Sequence, residues 1–247
     1  MIFRQLNAGR CRTYLVGSDR THEVVLVDPL RERVDAYLKV IAEHGLKLRW
    51  VIDTHTHSDH LSGGALIHEK TGVDYLMHFT SASTCASKRL RERDALGLGE
   101  LTLTFLHVPG HTPDSIIIRL PDRILSGDFL LLGGDGAGRL DLPGAEVRSH
   151  HKNLAKIIAL PDDLLVFPAH ADPKRDHSEL RHEWRVNPVL QLRTLEEYAA
   201  WWSSRRLGPA PWAESVTAIN ESGSAESPDS APPEEGETGA RRRKTSI

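Results

Sequence analysis

Apolar residues recur along this chain in short runs bounded by polar or Gly/Pro turns, interrupted by stretches of helical spacing. Thr13-Tyr14-Leu15-Val16 and Val24-Val25-Leu26-Val27 flank the polar Gly17-Ser18-Asp19-Arg20-Thr21, the pattern of two antiparallel strands and their turn. Asp28-Pro29 ends the second run. From Arg31 to His44, Val34, Leu38 and Ile41 repeat at helical intervals, and Gly45 supplies a stop. Trp50–Asp53 reads as a buried strand and Leu61–Thr71 as a helix whose start is crowded with Gly63 and Gly64. Further strands are expected at Tyr75–His78, Leu101–Val108, Ser115–Leu120, Arg123–Ser126 and Leu164–Phe167, with helices at Lys152–Ala159 and Leu190–Trp202. Strand pairs mixed with strand–helix alternation predict an α/β fold with mixed sheets.

The pattern stops near Leu207. From Gly208 onward Ser, Pro, Glu and Gly dominate, and large apolar residues are few after Trp212. Such a segment buries too little surface to offset its ordering entropy. The chain is therefore divided into a folded domain, 1–207, and a disordered polar tail, 208–247. The tail's basic end, Arg241-Arg242-Arg243-Lys244, reads as a solvated charge run.

Composition narrows the function classes. At 247 residues and 39% hydrophobic, the chain can bury a substantial core. A net charge of -3 gives no general attraction to nucleic acid or membrane, and no apolar stretch approaches the roughly 20 residues that span a bilayer. Neither is an expected partner. The opening Met1-Ile2-Phe3-Arg4-Gln5 lacks the apolar core of a secretory signal. Cys11 and Cys85 match neither a disulfide framework nor a metal-binding spacing and read as ordinary small side chains. A cytoplasmic location is expected.

The chemistry is concentrated in Thr54-His55-Thr56-His57-Ser58-Asp59-His60, directly after the apolar Trp50-Val51-Ile52. Imidazole and carboxylate donors together suit a borderline divalent metal such as Zn or Fe. Partners follow other predicted strands: His111 in Pro109-Gly110-His111-Thr112-Pro113, Asp128 in Ser126-Gly127-Asp128, and His170 in Pro168-Ala169-His170. Strand ends are where open α/β sheets gather ligands.

These segments, in this order, resemble the metallo-β-lactamase superfamily and its His-x-His-x-Asp-His loop. The resemblance covers about residues 1–205 and implies a four-layer αβ/βα sandwich with two mixed β-sheets. A narrower resemblance is to the persulfide dioxygenases, relatives of glyoxalase II. It rests on Met1–Leu6, Val27-Asp28-Pro29, Asp53-Thr54-His55, Pro109–Pro113, Ser126-Gly127-Asp128, Gly138-Arg139-Leu140-Asp141, Leu160–Asp163, Pro168-Ala169-His170 and Asn187-Pro188. That family implies one non-haem Fe(II) per chain, a small-molecule persulfide and O2 as substrates, sulfite and thiol as products, and a homodimer. Glutathione persulfide is the expected substrate.

Carried over, the iron ligands and catalytic residues are His55, His111 and Asp128, with His57, Asp59, His60 and His170 placed around them or on a second metal. Arg139 is the candidate for a substrate carboxylate, with an ion pair to Asp141 as its alternative. The competing reading is a dinuclear thioester hydrolase of the glyoxalase II type, with two Zn, Fe or Mn ions. There His55, His57 and His111 hold one ion, Asp59, His60 and His170 the other, and Asp128 bridges. A third reading, a fold that has lost catalysis and acts as an interaction module, is disfavoured by the intact donor set.

The sequence also departs from the dioxygenase pattern. Gly133 stands where that family usually has Arg, in a longer loop, and Ala171-Asp172-Pro173-Lys174 follows His170 in place of Asp-Tyr. Both stretches lie where glutathione is expected, so the match speaks more for the iron chemistry than for this thiol. His150, His151 and His177 are expected to be exposed or capping, and removal of 208–247 is expected to leave activity intact.

Overall fold

A computed structural model describes residues 1–7, 11–192 and 194–224. The first sheet orders β1 (Ile2–Gln5), β2 (Tyr14–Gly17), β3 (Glu23–Val27), β4 (Lys47–Ile52), β5 (Asp74–His78) and β6 (Lys88–Leu90) from edge to edge. The second orders β7 (Ala95–Leu98), β8 (Leu101–His107), β9 (Ile116–Arg119), β10 (Arg123–Gly127), β11 (Leu165–Pro168) and β12 (Ser178–Glu179) in the same way. Both sheets are mixed. β1–β3 pair antiparallel and β3–β6 parallel, while in the second sheet only β10 and β11 pair parallel.

The side-chain period of two explains the layering. Tyr14, Val16, Val25 and Val27 point between the sheets and meet Leu103, Phe105, Ile116 and Ile118. Their neighbours Leu15, Val24 and Leu26 point outward, onto α1 (Val34–Glu43) and α2 (Gly64–Thr71) through Val34, Tyr37, Ile41 and Ile67. On the far side, Ile117, Ile124 and Val166 pack on α3 (Val147–Ile158), α4 (Leu180–Val186), α5 (Pro188–Gln191) and α6 (Leu195–Ser204). The result is the expected αβ/βα four-layer sandwich.

Some boundaries differ from expectation for identifiable reasons. α2 starts at Gly64 because the backbone at Leu61 and Gly63 is already bonded to Arg31 N–H and Pro29 C=O. The single helix expected over Leu190–Trp202 is two, and Thr194 restarts the second with a capping box to Glu197.

The tail expected from Gly208 does not begin there: Ala213–Ser222 forms a seventh helix, α7. Small apolar residues at helical spacing, Ala213, Val216 and Ile219, are buried. Asn220 supplies what hydrophobicity alone does not, since Nδ2 donates to the carbonyls of His57 and His60 and Oδ1 accepts from Ser62 N–H. Arg241–Lys244 lie outside the described residues. No described helix is long and apolar enough to cross a membrane.

His150 is a further correction, for it is fully buried rather than exposed. Its Nε2–H donates to Phe129 C=O at 2.9 Å and Nδ1 accepts from Tyr198 Oη at 2.6 Å, a pairing that suits the neutral ring. Burial pushes its pKa down from 6.5 to about 3. The unfolded chain therefore binds a proton here that the native state refuses, and this contribution to stability is lost as pH falls from 6.5 toward 3. Urea unfolding between pH 7 and pH 4 should show stability falling by up to about 1.4 kcal/mol per unit from this group, a component that His150→Gln removes.

Candidate metal centre

Four strands end at one rim of the sandwich, and each delivers a polar side chain there. The loop after β4 carries His55, His57, Asp59 and His60, while the turns after β8, β10 and β11 carry His111, Asp128 and His170. Main-chain bonds bind these turns together: Ile116 N–H to Thr54 C=O, Ala169 N–H to Gly127 C=O, and Gly138 N–H to Asp128 C=O. Two glycines permit the close approach. Gly127 has φ +53° with Thr54 Oγ1 only 2.7 Å from where a Cβ would stand, and a Cβ on Gly138 would meet Asp128 Cβ at 2.7 Å and His111 Nδ1 at 3.0 Å.

Donor atoms of His55, His111 and Asp128 all lie within 4.8 Å of one another, and all three residues are buried. The hydrogen bonds around them leave lone pairs facing inward. His111 Nδ1 lies 2.7 Å from Arg139 C=O, which can only accept, so Nδ1 carries the hydrogen and Nε2 the lone pair. Thr54 Oγ1 donates to Asp28 and accepts from His55 Nδ1 at 2.9 Å, which leaves His55 Nε2 buried with no hydrogen-bond partner. Burial, reinforced by His57 and His111, holds the His55 pKa well below the ordinary range, as a neutral ligand requires. An orphaned buried imidazole nitrogen beside a carboxylate is costly unless an ion occupies the space between them. The donor set therefore fits a divalent metal.

His170 is held differently. Nδ1 is 2.6 Å from Asp128 Oδ1 and Nε2 is 2.7 Å from Asp59 Oδ2, so both ring nitrogens already face carboxylates. Burial alone would lower its pKa, but Asp128 and Asp59 overcome it and raise the value well above the ordinary range. His57 is buried against Asp28 and Asp53, with Nε2 3.3 Å from Asp28 Oδ1, and His60 Nδ1 lies 3.0 Å from Asp59 Oδ2. The seven expected residues thus share one rim but form separate groups. Arg139 serves the site through its carbonyl, while its guanidinium pairs bidentately with Asp141 at 3.0 and 2.6 Å.

Three participants were not visible in the sequence pattern. Asp28, which reads only as a strand stop, adopts φ +51° and accepts from Thr54 N–H and Oγ1. Cys11 places Sγ 3.3 Å from His170 Nε2 and 3.6 Å from Asp59 Oδ2, and with Asp59, His60 and His170 it forms a second donor cluster. Asn220 braces the backbone of the His57–His60 loop. A signal for Asp28 exists in its place directly after an apolar run, the same position that marks His55 and Asp128. Cys11 and Asn220 carry no such signal.

Comparison with known proteins agrees with this architecture. The metallo-β-lactamase superfamily model matches residues 6–79 and 87–170. The human mitochondrial persulfide dioxygenase ETHE1 is 33% identical over 190 residues, covering 75% of this chain and 73% of the relative. A hydroxyacylglutathione hydrolase from Anaeromyxobacter dehalogenans is 35% identical over 225 residues, covering 78% of this chain and 86% of that protein. The crystal structure of ETHE1 from Myxococcus xanthus superposes with a TM-score of 0.83 at 33% identity, covering 90% of this chain and 98% of that one. The chain belongs to the metallo-β-lactamase superfamily and is similar, within it, to the persulfide dioxygenases.

Proposed function

We propose that this chain is a mononuclear non-haem iron sulfur dioxygenase that oxidises a low-molecular-weight persulfide, glutathione persulfide first among those to test, to sulfite and thiol. The observation that carries the reading is the buried His55/His111/Asp128 cluster, set apart from a His170 whose two nitrogens are occupied. Two imidazoles and one carboxylate would hold one Fe(II) and leave positions open, and iron so bound supplies a site where O2 and a sulfur anion meet. The chain's own residues do the rest. Arg139 C=O and Thr54 Oγ1 orient the two imidazoles, and His170 holds Asp128 Oδ1 so that Oδ2 is the oxygen turned toward His111 Nε2, 3.6 Å away. The similarity to persulfide dioxygenases supports this chemistry.

A dinuclear thioester hydrolase is the second reading, favoured by the hydroxyacylglutathione hydrolase relative and by the Cys11/Asp59/His60/His170 cluster. The two are separated by supplying iron-loaded protein with glutathione persulfide or a glutathione thioester. The dioxygenase consumes one O2 and one water for each sulfite and thiol formed. Thioester cleavage without persulfide-dependent O2 uptake would replace it with the hydrolase.

A further inference from the structure

We infer that α7 completes a subsite for the ammonium-bearing end of a small substrate, with Glu221 as its anionic anchor. The inference rests on the dioxygenase reading for the identity of the reacting group, but on independent observations for the subsite. A cleft of about 240 Å³ opens beside His111, bounded by Thr56 and Ser58 of the metal loop and by Thr217 and Glu221 of α7. Thr217 and Glu221 are four residues apart and so share one helix face.

That face is fixed. Asn220 grips the backbone at His57, His60 and Ser62, Thr84 N–H donates to Glu221 C=O at 2.7 Å, and Arg31 donates to Ser224 C=O at 2.8 Å. α7 is thereby joined to the same loop that carries His55, and the Glu221 backbone is held beside that loop.

The charges of the cleft are one-sided. Among the described residues no lysine or arginine lines it, and its carboxylates belong to Asp114 and Glu221. Asp114 is committed, accepting from Thr56 N–H at 3.2 Å and Thr56 Oγ1 at 2.7 Å. The Glu221 carboxylate makes no hydrogen bond or ion pair with any described residue, whereas its backbone is fully engaged. The uncommitted charge facing a ligand is therefore negative. A carboxylate-ended thiol would be repelled there, and an ammonium would be held by a charge-assisted hydrogen bond. The small cleft volume suits a short thiol, and an ammonium with no carboxylate beside it is favoured over the zwitterionic end of a longer one such as glutathione.

The test uses two persulfides of similar length that differ in their end group: that of cysteamine, an ammonium, and that of 3-mercaptopropionate, a carboxylate. With iron-loaded full-length protein, kcat/KM for the cysteamine persulfide should exceed that for the mercaptopropionate persulfide by about tenfold or more. Glu221→Gln should bring the ratio to within about threefold, the loss falling chiefly on KM, and Glu221→Lys should invert it. Iron content is measured alongside to show that the metal site is intact. Calorimetric binding of the two parent thiols provides a readout that needs no turnover. If neither of these nor glutathione persulfide elicits O2 uptake, the dioxygenase reading fails while the calorimetric preference still reports on Glu221. An end-group preference that Glu221→Gln leaves unchanged, or a wild-type preference for the carboxylate, overturns the subsite.

Discussion

His55→Ala, His111→Ala and Asp128→Ala are each expected to give folded protein that retains no iron and consumes no O2. On the mononuclear reading each substitution removes one of three protein donors, and among the described residues no fourth joins that cluster. Two remaining donors are too few to hold Fe(II) against water. The cost to the fold is limited, because removal of either imidazole also removes the orphaned or inward-facing nitrogen that burial penalises. His170→Ala should behave differently. It takes away the partner of Asp128 Oδ1 and one of the partners of Asp59 Oδ2, leaving the buried Asp128 carboxylate without the imidazole that orients it. Loss of such an orienting partner weakens metal affinity by about 10–100-fold rather than abolishing it. Elemental analysis of the four variants, with thermal melting as the control for folding, checks the contrast. Complete metal loss in His170→Ala, equal to that in His111→Ala, would mean that His170 is itself a ligand.

Asn220→Ala is expected to cost about 2–4 kcal/mol of stability and to loosen the metal loop. One side chain there satisfies two carbonyls and one N–H of the His57–Ser62 backbone, and a net loss near 1 kcal/mol per bond is typical, more where the abandoned group stays buried. The loop carries four of the seven polar residues at the rim, so reduced stability should be accompanied by reduced iron occupancy at limiting iron. Urea unfolding and iron titration measure the two effects. Deletion of 208–247 should be more severe, since it removes α7 and uncovers the surface beneath Ala213, Val216 and Ile219. The sequence pattern led to the opposite expectation, and the helix is the reason. Unchanged stability in Asn220→Ala would show that α7 is an ornament on the loop rather than its brace.

The gathering of the site's residues at one rim was legible because each follows an apolar run within a few residues. His55, His111, Asp128 and His170 inherit their positions from β4, β8, β10 and β11, and a strand end is a local feature of sequence. What stayed hidden depends on contacts between distant segments. Cys11 reaches His170 and Asp59 from an irregular stretch before β2, where no periodicity marks it. His150 looks like an exposed helix-start residue until Phe129 C=O and Tyr198 Oη are seen to enclose it. α7 has the weak apolar face of small residues that composition alone assigns to a tail, and its docking is written in the side chain of Asn220. Arg139 turns its guanidinium to Asp141, the alternative the sequence offered, and its backbone carbonyl holds His111, a role that no reading of residue type anticipates.

The number of metal ions per chain tests the central claim most directly. Full-length protein, saturated with Fe(II) under anaerobic conditions and freed of unbound metal, is analysed for iron and protein together. A single ion held by His55, His111 and Asp128 predicts one iron per chain, lost in His111→Ala and kept in His60→Ala. Two irons per chain, with one of them lost in His60→Ala, would contradict the mononuclear centre and place a second metal among Asp59, His60 and His170.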